Sequence, residues 1–245
     1  MSAAKPELEN VLAARYASAE MVEIWSRPGK VVLERELWIA MMRAQQALGI
    51  DIPTEAIQAY EAVVNQVDID SIDARDRIVR HDVKARIEEF CALAGHEHIH
   101  KGMTARDLTE NVEQLQILRS LALVRDRAVA VLAQLAVRAT EYSDRAVVGR
   151  SHNVPAQVTT LGKRFANATQ EMLVAFERLE TLVATYPLRG MKGPVGTQQD
   201  LLDLFEGDGQ LVADLELKIA EHLGFTRTLD SVCLLYTSPS PRDSA

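Results

Sequence analysis

Residues 104–142 read TARDLTENVEQLQILRSLALVRDRAVAVLAQLAVRATEY, with no glycine or proline anywhere in the run. Leu108, Val112, Leu115, Leu118, Leu121, Ala128, Val131, Leu132 and Leu135 recur at spacings that keep one helical face apolar. Thr104 stands where an N-cap would, and Asp107 and Glu110 place negative charge at the positive end of the helix dipole. At 1.5 Å per residue such a helix is a rod of about 55 Å, longer than a compact domain needs.

Helical signals continue on both sides. Leu33, Leu37, Ala40, Ala44 and Leu48 form a stripe that Gly49 and Pro53 end. A run over about 71–94, with Ile72, Val79, Val83, Ile87 and Phe90 near one face, stops at Gly95. After Pro155 a second long run carries Leu161, Phe165, Ala168, Met172, Phe176, Leu179, Val183 and Tyr186, and Pro187 closes it. A shorter helix is predicted over about 210–223. No convincing strand alternation and no internal repeat is visible, so the expected fold class is all-α. Two consecutive rods imply an elongated helical bundle whose apolar stripes pair between subunits.

Composition narrows the function classes. The chain has 245 residues, 47% apolar and 25% charged, with a formal net charge of −8. That acidity argues against nucleic acid or an anionic membrane as partner, yet leaves room for a local anion site. No apolar stretch approaches the roughly 20 residues of a membrane span. The opening residues, with Glu7 and Glu9, lack a secretory core. Cys91 and Cys233 give no disulfide framework, so a reducing, cytoplasmic setting is expected.

Three constellations carry possible chemistry. His96-Glu97-His98-Ile99-His100 would bind a metal as a strand, but glycines at 95 and 102 suggest a loop, and no carboxylate or cysteine spacing supports ligation. Arg80-His81-Asp82 lies inside the amphipathic run over 71–94 and reads as a solvated charged patch or part of a site. His152 sits in GRSHNVP, residues 149–155, a polar turn between the two rods. A loop histidine between rigid helices suits acid–base work, and is also the ordinary exposed histidine.

Taken in order, Arg15-Tyr16-Ala17-Ser18, RHDVKA at 80–85, HKGMT at 100–104, Ser151-His152 with PAQVTTLGKR at 155–164, and RGMKGPVGTQ at 189–198 resemble the adenylosuccinate lyases of the fumarase/aspartase superfamily, over residues 11–232. The resemblance implies an elongated all-α bundle of that superfamily, truncated here. It implies an N-terminal helical domain over 1–103 and the first part of the central bundle over 104–232. It implies fumarate elimination from adenylosuccinate and from the succinocarboxamide ribotide of purine synthesis, without metal or organic cofactor, by a homotetramer acting on a nucleotide. Arg15 and Tyr16 match the pair that holds the phosphate, and Arg80, His81 and Asp82 a second substrate segment. Thr104 and Ala105 match the Thr-Ser pair that binds the succinyl part. His152 matches the general acid, with Ser151 beside it.

The residue types suit that chemistry. Elimination beside a carboxylate builds negative charge that fixed cations and donors must meet, and the departing nitrogen needs a proton. Three departures stand out. Ala105 replaces the family's serine. The Gly-Gln pair expected after Val232 is missing. So are the loop carrying the serine base and the C-terminal domain, and the chain as written is expected to be inactive. Cys233 to Asp243 read CLLYTSPSPRD, one frame of a transposase sequencing adapter, so 233–245 is taken as an artefactual tail. An argininosuccinate lyase, or a helical scaffold without chemistry, are the alternatives.

Overall fold

The computed structural model describes residues 10–232. The opening residues 1–9 and the adapter-like 233–245, Cys233 included, lie outside the described residues. The chain divides into two compact units, one of Met1–Ile117 with Pro187–Ala245 and one of Leu118–Tyr186.

The first unit is built around α3 (Arg27–Ala47), which buries residues all round its circumference. The sequence shows one stripe, but Glu34, Arg35, Trp38, Ile39, Met41, Met42 and Gln45 are buried as well. A helix buried on every side is the centre of a domain rather than its skin. Short helices α1 (Val11–Tyr16) and α2 (Ala19–Trp25) precede it, capped by Asn10 and Ser18. Helix α4 (Thr54–Ala62) brings Tyr60, whose ring meets Phe90 edge-on at 4.8 Å, while Trp38 stacks on Phe90 at 6.1 Å. Arg35, fully buried, pairs with Glu89 at 2.6 Å and donates to the carbonyls of Val63 and Val64 at 2.9 Å each.

The run over 71–94 is two helices, not one. Helix α5 (Ile69–Val79) ends on Arg80 in the left-handed region, φ 53°, and α6 (Asp82–Ala94) starts with His81 as its cap. The break was hidden because arginine, not glycine, takes the left-handed position. Gly95 does end α6, with φ 73°. From α7 (Ala105–Glu141), residues Leu108, Val112 and Leu115 join the core. After Pro187 come α9 (Gln199–Leu204) and α10 (Gly209–Leu223), the latter packing Leu215 and Ile219 inward.

The second unit holds the rest of α7, a β-hairpin, and α8 (Leu161–Thr185). The hairpin is unforeseen: β1 (Ala146–Ser151) pairs antiparallel with β2 (Val154–Thr160), where a polar turn was expected, and α8 therefore begins only at Leu161. β2 is exposed over most of its length and β1 alternates exposed and half-buried residues over only four positions, which leaves too short a strand signal in the sequence. At Gly162 a Cβ would lie 2.3 Å from the Ala139 carbonyl oxygen, so glycine lets the start of α8 meet the end of α7. Arg125 and Glu180, 3.9 Å apart, link the two helices again further along. Within 118–186 only Gly162 is buried, while Val129, Val131, Val137, Val174 and Leu182 are exposed. No helix among the described residues is long and apolar enough to cross a membrane.

Candidate active site

The first unit gathers most of the expected site residues at helix ends. His81 caps α6: its Nδ1 accepts from the Lys84 N–H at 3.2 Å, which leaves the ring proton on Nε2. Asp82 opens the same helix and accepts from Arg86 at 2.9 Å. Burial alone would raise the Asp82 carboxyl. The Arg86 hydrogen bond and charge, the Val83 N–H and His81 outweigh it and hold the group below the usual carboxylate range. Arg80, left-handed and exposed, turns the corner between α5 and α6.

Thr104 and Ala105 sit where α7 begins. The Thr104 hydroxyl does not cap the helix as expected. Instead Asp107 reaches back and accepts from the Thr104 N–H at 3.0 Å, half of a reciprocal capping arrangement. The Thr104 hydroxyl is left buried with no hydrogen-bond partner. Ala105 is half-buried beside it.

His100 joins these two places. Its backbone is left-handed, φ 66°, and its Nδ1 accepts from the Trp38 indole N–H at 3.1 Å. Burial pushes the imidazole down to about 4, with Asp107 opposing and His81 reinforcing the shift. A ring that feels both Asp107 and His81 places the α6 corner and the α7 start in one electrostatic neighbourhood. Of the clustered histidines, His98 and Lys101 make a 3.3 Å contact, and burial lowers the His98 value. The segment is the loop that its bracketing glycines indicate.

The wall behind Thr104 is a polar cage that sequence reasoning did not assign to the site. Asp107, fully buried, accepts from Arg189 at 2.5 Å, the Lys192 N–H at 3.0 Å and the Gly193 N–H at 3.1 Å through one oxygen. Asn111 bonds both the N–H and the carbonyl of Gly190, at 2.9 and 3.0 Å. Glu216 of α10 accepts from the Met191 N–H and from Lys192, each at 2.7 Å. Gly190 has φ 85°, a backbone conformation that favours glycine, and a Cβ there would also crowd the Glu216 carboxylate. The RGMKGPVG string was the available signal, but its acidic partners are remote in sequence.

Arg15 and Tyr16 end α1, exposed, and among the described residues their side chains make no hydrogen bond or ion pair. Ser151 and His152 belong to the second unit. His152 and Asn153 form the two-residue turn of the hairpin, with φ 48° and 64°. Positive φ at both positions is the type I′ geometry that matches strand twist, and it holds the exposed His152 at the tip.

A family model described as a lyase matches residues 14–202. An adenylosuccinate lyase of Schistosoma mansoni is 35% identical over 226 residues, covering 91% of this chain and 47% of its own length. That of Saccharomyces cerevisiae is 37% identical over 232 residues, covering 91% and 48%. Among solved structures, a fumarate lyase from Mesorhizobium sp. BNC1 matches with a TM-score of 0.70 and 26% identity, over 86% of this chain and 49% of that one. The 3-carboxy-cis,cis-muconate lactonizing enzyme of Pseudomonas putida shares the fold, with a TM-score of 0.74 at 20% identity, over 90% of this chain and 50% of that one. The chain spans about half the length of the curated relatives it matches.

Proposed function

The chain belongs to the lyase family matched over residues 14–202, and on that premise we propose that the whole protein eliminates fumarate from adenylosuccinate to leave AMP. The related succinocarboxamide ribotide is the second substrate. The observation that carries this reading is the Thr104 hydroxyl, buried and without a partner at the start of α7. An unpaired buried donor costs about 1–3 kcal/mol, and a substrate carboxylate would satisfy it.

The roles follow from chemistry and position. His152, on its fixed turn, gives the proton to the departing purine nitrogen, with Ser151 beside it. Arg15 and Tyr16 hold the phosphate, and Arg80, His81 and Asp82 form a second substrate-binding corner at a helix N-terminus, where anions are favoured. Thr104 binds the succinyl part, and Ala105 supplies no hydroxyl. No organic cofactor or metal is required for elimination of this kind.

Assembly completes the picture. The exposed valines and leucines of 118–186 are the faces by which the whole protein forms a homotetramer, and its setting is cytoplasmic. The two helical domains, 1–103 and the bundle from 104 on, serve the corner and the acid respectively. The 1–245 stretch, which spans about half the length of the relatives it matches, should release no fumarate on its own.

His152→Ala tests the assignment. Fumarate release by the whole protein should fall at least about a hundredfold with helix content unchanged. Near-wild-type turnover would remove His152 from the role.

A further inference from the structure

Glu34 is fully buried on α3, yet neither of its carboxylate oxygens has a hydrogen-bond partner. Its nearest cation is Arg86 of α6, whose Nε lies 2.6 Å from one oxygen. The contact is a charge pair rather than an aligned hydrogen bond, since Arg86 Nε also goes without a hydrogen-bond acceptor. The other cations facing Glu34 come from its own helix. Arg35 is committed to Glu89, and Lys30 lies 3.7 Å from Glu113. Asp82 is the other charge that faces it from α6.

Arg86 is shared. Its Nη2 holds Asp82 at 2.9 Å, and Asp82 adjoins His81, the cap of α6. One guanidinium thus joins a buried carboxylate to the corner at 80–82. We propose that Glu34 is a positioning residue for that corner: its carboxylate fixes Arg86 at Nε so that Nη2 holds Asp82, and with it His81, in place. The substrate-binding part of this inference rests on the proposed lyase reading; the structural coupling does not.

The planar guanidinium makes such bridging possible, since it holds Nε and Nη2 in fixed relation where the single ammonium of lysine could not. Burial raises the Glu34 carboxyl to about 7, opposed chiefly by Arg86. Above that pH Glu34 is charged and clamps Arg86. Below it Glu34 is neutral, and the corner loosens.

The test compares wild type, Glu34→Gln and Arg86→Lys in the whole protein. Both variants should raise KM for adenylosuccinate roughly tenfold with kcat within about twofold, a split that general loss of structure does not give. Wild-type KM should rise as pH falls through about 7. The Gln variant should stay at the high value throughout. Independently of activity, the side-chain Nε–H of Arg86, 2.6 Å from Glu34, should shift in 15N-arginine-labelled wild type as pH passes through about 7, and should not in Glu34→Gln. An unchanged KM in both variants, or an Arg86 Nε–H signal that shifts alike in wild type and Glu34→Gln, would overturn the positioning role. If Glu34→Gln does not fold, Arg86→Lys decides through KM. If the whole protein releases no fumarate, the lyase reading fails and the Arg86 titration still decides this one.

Discussion

Trp38 and His100 are 62 residues apart, and the indole N–H of one donates to Nδ1 of the other at 3.1 Å. The bond fixes the tautomer: His100 carries its proton on Nε2 and keeps it there. Burial holds the ring neutral by pushing its value to about 4. The charge of Asp107 and that of His81 both act on the ring.

His100 therefore has a predictable effect on stability. Its folded value lies below the ordinary 6.5, so the stability it contributes is complete above 6.5 and is lost as pH falls towards 4. His100→Asn keeps an acceptor for Trp38 and tolerates positive φ. Denaturant unfolding at pH 7 and pH 4 should show wild type losing up to about 3 kcal/mol more than the variant over that interval. Equal losses would mean that the ring is not held neutral by burial.

Asp107→Asn should be costly. Asp107 answers Arg189 and the N–H groups of Thr104, Lys192 and Gly193 from deep inside the unit, and among the described residues Glu110, at 2.8 Å, is the carboxylate left to Arg189 once that charge is gone. Removing one member of a buried pair costs about 3–5 kcal/mol, and the surviving Glu110 contact sets the expectation near the lower end. A thermal melt should fall by roughly 5–10 °C. An unchanged melt would show that the cage contributes nothing.

Ala105→Ser restores the hydroxyl that the family pattern carries at the start of α7. One added hydrogen bond to substrate should lower KM for adenylosuccinate about fivefold to tenfold, with little change in kcat. A KM unaltered in steady-state assays would mean that position 105 does not face the succinyl group.

How much of this was legible in the sequence depended on distance along the chain. The 37-residue α7 was read almost to its ends, because its unbroken apolar spacing is a local signal. The Arg80 break was not, since a left-handed arginine leaves no mark in composition. The hairpin 146–160 also escaped, because Val148, Val154 and Val158 are exposed and the alternation in β1 lasts only four residues. The candidate site residues were named through ordered motifs, by resemblance rather than by local spacing. The Asp107–Arg189 pair, 82 residues apart, and the Glu34–Arg86 contact were invisible to any window along the chain. Only folding brings such charges together.

Incubating the whole protein with adenylosuccinate, and separately with argininosuccinate, then quantifying fumarate, tests the proposal most directly. The account predicts fumarate and AMP in equal amounts from the first and no fumarate from the second. Intact adenylosuccinate after prolonged incubation with folded, assembled protein would contradict it.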